Sequence, residues 1–398
     1  MKTIVLLLNR NNTGPHYGYK VLAEEFRRLG YKTTLLEAFH EDLAEQLVSV
    51  YRSEDVAFTL THNMLKTDLR IDDQDFYTHF NSVCISLTDT PLPKYDLIRK
   101  CSGHVALLLG DITNEELVHR INPEIKVFEW IAYNNIFDDK PVPLIAERTI
   151  DVLFAGRVGN GLESLQSHSF LLRQFGYKIA RRHGFQNEKQ VEEIVLEELK
   201  NPVNALMNKL FYRLDLNRGE TWDFLWHTVQ YIRAARRNLV LNELIALPSS
   251  VSMTIITDDD HAEEIRNKKK PNVTVYPFLP WPEVLGKMRE AKLTVNVMPF
   301  QINSSHERIA TAQYNGSVVL TDSNPWLRAN YREGDELFFY LYKKNALRDS
   351  VISLLCEDPA VLQRVADQGS AKSRALHMPS NRAAYIVDVY EQMLKILN

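Results

Sequence analysis

The stretch from Leu293 to Asp322 constrains this chain most, because its thirty residues read in order as strand, polar loop, helix, glycine and strand. TVNVMPF is a Val- and Thr-bearing apolar run of the kind that forms a buried strand, and the polar loop QINSSHER follows it. IATAQYNG then reads as a helix ended by Gly316, and SVVLTD as the next strand, parallel to the first. Asn303, Ser304, Ser305, His306, Glu307 and Arg308 fall where that helix begins. Its first free N–H groups, a Ser or Asn cap and Arg308 would face one point, an arrangement suited to a phosphate or a polyhydroxylated ligand.

The rest of the chain repeats this alternation. TIVLLLN, KTTLLEA, DVAFTLTHN, SVCISLTD, HVALLLGD and KVFEWIAY are strand-like runs, and GYKVLAEEFRRLGY is an amphipathic helix closing at Gly30. Strands alternating with helices predict an α/β domain, a parallel sheet with helices on both faces. Several of these strands end in Asn, Asp or Thr, at the edge where open α/β sheets bind ligands. Residues 134–149, NNIFDDKPVPLIAERT, break the pattern with two prolines and read as a linker. IDVLFAGRVGN opens a second alternation, continued by SMTIITDDD and NVTVYPFL. Between them, 161–238 is helical and charged, an expected insertion before Leu239 to Leu247 rejoins the pattern. Within it VNALMNKLFYRL is either an ordinary helical elaboration or a surface for acceptor recognition, oligomerisation or membrane docking.

With 398 residues, 45% of them apolar and 25% charged, the chain suits a soluble protein of two domains. A net charge of -4 argues against a nucleic-acid partner. Cys84, Cys101 and Cys356 lack metal-ligand spacing, so neither a zinc site nor a disulfide framework is expected, and a reducing, cytoplasmic location is. MKTIVLLLNRNN reads as a first buried strand rather than a leader. No run approaches the roughly 18 apolar residues of a membrane span, so any membrane contact would be peripheral.

Arg308, Ala312, Gly316 and Thr321–Asp322 together resemble the C-terminal domain of group 1 glycosyltransferases of the GT-B fold, in particular the spore maturation protein-like branch. Asp151-Val152-Leu153-Phe154-Ala155-Gly156 is similar to the strand with which that family opens its second domain, so the resemblance covers both halves. It implies two Rossmann-like domains facing a central cleft: 1–140 on the acceptor side, 150–380 on the donor side with a helical elaboration at about 161–238, and 381–398 as a helix crossing back. Thr311 stands where the family has a glutamate, and the nearest acid is Glu307.

The implied reaction moves a sugar from a nucleotide-activated donor to a glycan, lipid-linked glycan, protein or small acceptor, with no metal and no other cofactor. For the leaving diphosphate the resemblance points to Gly156–Arg157, to Arg308 and to the helix start beside Ser304 and Ser305. Arg233, Arg236 and Arg237 are similar to an Arg-rich family segment and read as donor contacts or surface cations. Pro277-Phe278-Leu279 resembles the base-contacting loop, although Phe278 is equally a core residue by type. Asp258 reads as a ribose contact or as a helix cap, and Asp258 to Asp260 precede a helix, where acids suit the dipole better than a metal. The donor set is therefore Gly156, Arg157, Asp258, Phe278, Asn303, Ser304, Ser305, His306, Glu307, Arg308 and Thr311.

His16, in the first strand-to-helix loop NNTGPHYGY, is the expected acceptor base, since an imidazole with a pKa of about 6.5 titrates near neutrality. Asp89 in SLTDTP is the alternative base, or the carboxylate that orients the histidine. Two rival functions remain: a sugar-nucleotide epimerase or hydrolase, and a non-catalytic nucleotide-sugar-binding protein, which the Thr311 departure favours. The sequence leaves the acceptor and the oligomeric state open.

Overall fold

The computed structural model describes residues 1–9, 13–132, 140–184, 188–298 and 301–397. It divides into unit 1, Met1–Asp138 with Leu376–Asn398, and unit 2, Asp139–Ala375. The proline-bearing linker expected at 134–149 lies outside the described residues as far as 139; beyond them Ile145–Glu147 forms one turn of 3-10 helix.

Unit 1 is built on β1 (Thr3–Leu8), β2 (Lys32–Glu37), β3 (Val56–His62), a two-residue hairpin β4 (Arg70–Ile71) and β5 (Gln74–Asp75), then β6 (Val83–Thr88), β7 (Val105–Leu109) and β8 (Lys126–Glu129). The sheet order is β2-β1-β3-β6-β7-β8, every pair parallel. All six residues of β1 are buried, which is why its sequence is apolar without alternation. The helix Pro379–Leu397 buries Ala383, Ile386, Val389, Tyr390 and Met393, spaced as one helical face, in the same core as β1 and β3. The end of the chain thus belongs to the unit that holds its beginning.

Unit 2 carries β9 (Ile150–Ala155), β10 (Met253–Ile256), β11 (Val273–Tyr276), β12 (Ala291–Asn296), β13 (Val318–Asp322) and β14 (Phe338–Tyr340). Its order, β11-β10-β9-β12-β13-β14, is again all parallel. The chain reverses its direction of strand addition between β9 and β12, and in open α/β sheets that reversal opens a crevice at the strands' C-terminal ends. In unit 1 the same reversal lies between β1 and β3.

One expectation needs correction. Leu239 to Leu247 does not restart the pattern after an insertion, because the helix Gly219–Ile245 runs unbroken for 27 residues. No glycine or proline interrupts it between Glu220 and Ile245, and Pro248 follows its end. The 3-10 segment Gly159–Ser167 seats directly on this helix: a Cβ on Gly161 would lie 2.5 Å from the Gln230 carbonyl oxygen and 2.8 Å from the Ala234 methyl.

Candidate functional site

The loop between β12 and the helix Glu307–Tyr314 is fixed from beneath by buried side chains of the following strand and helix. Asn324, fully buried, donates through Nδ2 to the Gln301 carbonyl at 3.0 Å and the Ser304 carbonyl at 2.8 Å, while its Oδ1 accepts from Leu327 N at 2.7 Å. Asp322 accepts from Met298 N at 2.7 Å and from the Tyr342 hydroxyl at 3.1 Å. At the other end Gly316, at φ +73°, closes the helix; a Cβ there would lie 2.4 Å from Val142 Cγ1, so the position is closed to other residues.

The cap of this helix is His306, not a Ser or Asn. Its Nδ1 accepts from Arg308 N at 3.3 Å, and its Nε2 lies 3.1 Å from Glu307 Oε2. An acceptor at Nδ1 and a donor at Nε2 make a neutral imidazole. Burial, then the charges of Arg308, Arg237 and Arg233, hold its pKa well below the usual value.

Those three guanidinium groups gather at the β9/β12 reversal. Arg308 Nη1 donates to Asn296 Oδ1 at 3.3 Å and stands 3.7 Å from where a Gly156 Cβ would be. Arg237 donates to the Arg157 carbonyl. Burial, and then repulsion from Arg233 and Arg308, bring Arg237 down to about 9, with Glu307 and Tyr342 opposing. Burial also lowers Arg308, with Glu307 opposing. Arg308 Nε, Arg237 Nε and Ser305 Oγ are buried with no hydrogen-bond partner among the described residues. Native buried donors are nearly always satisfied, so a positive cluster with orphaned donors is prepared for an anion that brings acceptors.

Reading Arg236 and Arg237 as surface cations is therefore wrong: they are 1% and 6% exposed. The sequence hides this because the long helix is covered on several sides, so no simple stripe separates buried from exposed positions. Arg236 serves the scaffold, Nη2 3.2 Å from His183 Nδ1 and its guanidinium 5.6 Å from the Tyr342 ring centre.

The remaining donor residues surround this point or leave it. Exposed Arg157 places its guanidinium 4.9 Å from the ring centre of Phe278, which is itself 49% exposed and so is not core packing. Asn303 is half-buried and Ser304 buried in the anchored loop. Thr311 is fully buried, one turn beyond Glu307 on the same helical face. Asp258 caps the helix Asp259–Asn267: Oδ1 accepts from His261 N, and Oδ2 accepts from Val158 N at 2.9 Å and Gly159 N at 3.1 Å. Burial opposes ionisation there, but the hydrogen bonds from His261 and Gly159 bring the carboxyl down to about 2. Its oxygens are thus engaged by the turn after β9, which makes Asp258 a support of that turn. Among the described residues no group of three or more His, Cys, Asp or Glu is placed to hold a metal ion.

In unit 1, His16 is not in a loop. The helix Thr13–Arg28 begins three residues before it, because a proline at position 15 is compatible with a first turn whose N–H groups have no intrahelical partner. His16 is half-buried there, its ring 5.9 Å from that of Tyr17. The Asp89 carboxylate is held instead by two residues the sequence reading passed over. Asn63 Nδ2 donates to Oδ2 at 3.0 Å, and His62 Nε2 lies 3.5 Å from the same oxygen. Asp89 is exposed, and His62 and Asn63 hold its carboxyl below the usual range. The signal for His62 was its place at the C-terminal end of β3, beside the reversal in unit 1.

Among the described residues no helix is long and apolar enough to cross a membrane. No curated protein matches the chain by sequence. Similar solved structures include sucrose-phosphate synthase from Thermosynechococcus elongatus, at 10% identity and a TM-score of 0.59 over 100% of both chains. Anabaena HepE in complex with UDP and glucose is similar at 9% identity and a TM-score of 0.57, over 98% of this chain and 100% of that one. An alpha-glucosyltransferase in complex with UDP and a 13-mer DNA is similar at 9% identity and a TM-score of 0.54, over 98% of both. Residues 237–388 match the family described as glycosyl transferase-like, a span that includes Arg237, the anchored loop and Arg308. The chain has the GT-B fold of these structures, and residues 237–388 are similar to glycosyl transferase-like proteins.

Proposed function

We propose that this enzyme transfers a glycosyl group from a nucleoside-diphosphate sugar to an acceptor hydroxyl, without a metal. The observation that carries the reading is the meeting of Arg233, Arg237 and Arg308 at the β9/β12 reversal, opposed by the carboxylate of Glu307. Such a cluster suits a diphosphate, whose charge grows as its bond to the anomeric carbon breaks. The nucleoside base would stack at the exposed ring of Phe278, beside Arg157. Glu307, one turn before Thr311 on the same face, takes the place of the family's glutamate and accepts from the sugar hydroxyls. On unit 1, His16 or Asp89 would take the acceptor proton. The acceptor class is a glycan, a lipid-linked glycan, a protein or a small molecule.

The first ligand to test is UDP, the nucleotide held by two of the similar structures. Calorimetric titration of the purified chain with UDP, GDP and ADP should give saturable one-to-one binding of at least one, weakened by Arg308→Ala. Failure of all three to bind, or equal binding by the variant, would overturn the donor site. Turnover of a bound sugar nucleotide to a changed sugar without any acceptor would favour an epimerase instead.

A further inference from the structure

We infer that the segment Pro202–Tyr212 docks the protein on an anionic lipid surface. The helix Pro202–Met207 passes into the π-helical turn Asn208–Tyr212, and its polarity is reversed with respect to the protein. Val203, Leu206, Leu210 and Phe211 are 68%, 57%, 52% and 54% exposed. Their spacing sets them along one helical face. The opposite face turns asparagines inward. Asn204 Nδ2 donates to the Glu198 carbonyl at 2.9 Å and its carboxylate at 2.8 Å. Asn208 donates to the Leu214 carbonyl at 3.1 Å and accepts from Leu214 N at 2.7 Å. Tyr212 stacks on Phe175 with ring centres 4.8 Å apart.

A surface helix of a globular protein buries its apolar stripe and solvates its polar one. Here the polar stripe is satisfied against the fold and the apolar stripe is offered outward, so burial of the latter requires something outside unit 2. The charge around it selects the occupant. Residues 199–214 contain Lys200, Lys209 and Arg213 and no carboxylate, and all three cations are exposed. A second copy meeting this face about a two-fold axis would set cations against cations. An anionic bilayer accepts the apolar side chains below its headgroups and pairs the cations with them. This inference does not rest on the donor site.

The test is co-sedimentation of the full chain with phosphatidylcholine vesicles and with vesicles containing phosphatidylglycerol. Binding should favour the anionic vesicles by about tenfold or more, the size expected from a few basic residues at a charged surface, and should fall as salt is added. L206S/L210S/F211S should lower that partitioning about tenfold while leaving the melting temperature unchanged, since the replaced groups are exposed. K200S/K209S/R213S should erase the preference for anionic lipid. No binding by the wild type, or equal binding by the apolar triple variant, would overturn the inference. So would a wild-type dimer in sedimentation velocity that the apolar triple variant converts to monomer, because the face would then belong to a second copy.

Discussion

Units 1 and 2 share a six-stranded parallel sheet and a reversal of strand order, yet they furnish the C-terminal edge of the sheet differently. Unit 2 collects cations there, with Arg233, Arg237 and Arg308 opposed by Glu307. Unit 1 sets a histidine, an amide and an ionised carboxylate there, in His62, Asn63 and Asp89. Under the proposed function the same architecture would yield an edge that holds an anion and an edge suited to proton handling. What separates them is a handful of loop-proximal side chains, not the fold.

Removing the proton-handling group should give the largest effect. His16→Ala should cut turnover by about 10² to 10⁴ if His16 is the base, leave UDP affinity nearly unchanged and remove the acidic limb of the pH profile. Asp89→Asn, measured beside it, separates the two candidates. Full activity in the histidine variant with collapse in the aspartate variant would move the role to Asp89 and its partner His62. If both variants retain activity, the proposed division of labour between the units fails.

The next effect belongs to the cationic edge. Arg308→Ala should raise the activation free energy by roughly 2 to 4 kcal/mol, the range seen on removing a group that stabilises developing charge, and should weaken UDP binding as well. Arg308→Lys should recover part of the loss, since it keeps the charge but not the two-pronged geometry. Steady-state kinetics with a parallel thermal melt decides the point. A variant that loses turnover only because it unfolds would show Arg308 to be a scaffold residue.

Much of this edge was legible from residue pattern. The strand, loop, helix and glycine of Leu293 to Asp322 appear as β12, the Asn324-anchored loop, the helix Glu307–Tyr314 and Gly316. Buried strands with helices on both faces lose their alternation and stand out as apolar runs, so β1, β9 and β13 were readable as well. Three kinds of feature were not. β14, with three residues, is too short to show a period. The capping imidazole of His306 and the burial of Arg237 depend on contacts between segments distant in sequence, which no local pattern encodes. The pairing of His62 with Asp89 joins the ends of two strands through a neighbour relation known only once strand order is known.

The units should also part company in acid. Burial and the neighbouring Arg236 push the His183 imidazole down to about 3, and burial with Arg308 pushes His306 well below the usual value; both lie in unit 2. In the unfolded chain each takes a proton near pH 6.5, whereas in the folded one neither does, so below that pH the unfolded state binds more protons. Their contribution is complete above about pH 6.5 and drains away below it, by about 1 to 2 kcal/mol for His183 by pH 5. The Asp89 carboxyl of unit 1 is also lowered, but its contribution is lost only below the ordinary carboxyl range, near pH 4. Denaturant melts at pH 7 and pH 5, followed by hydrogen exchange, should show unit 2 weakening first. Simultaneous weakening of both units in that window would count against the assignment.

The smallest expected effect is that of a chelator on turnover. In unit 2 the carboxylate nearest in pattern to a metal ligand, Asp258, already accepts from Val158 N, Gly159 N and His261, and those bonds hold the turn that leads from β9 into the long helical segment. A divalent ion competing for these oxygens would have to release that turn. Under the proposed function, charge on the departing diphosphate would be met instead by Arg237 and Arg308, which need no ion to be in place. Turnover measured with and without EDTA should therefore agree within error, and Asp258→Ala should cost stability through the lost cap, about 1 kcal/mol, rather than activity in proportion. Loss of activity in EDTA that manganese or magnesium restores would reverse the comparison, giving unit 2 an edge whose carboxylates, and not its arginines, hold the donor.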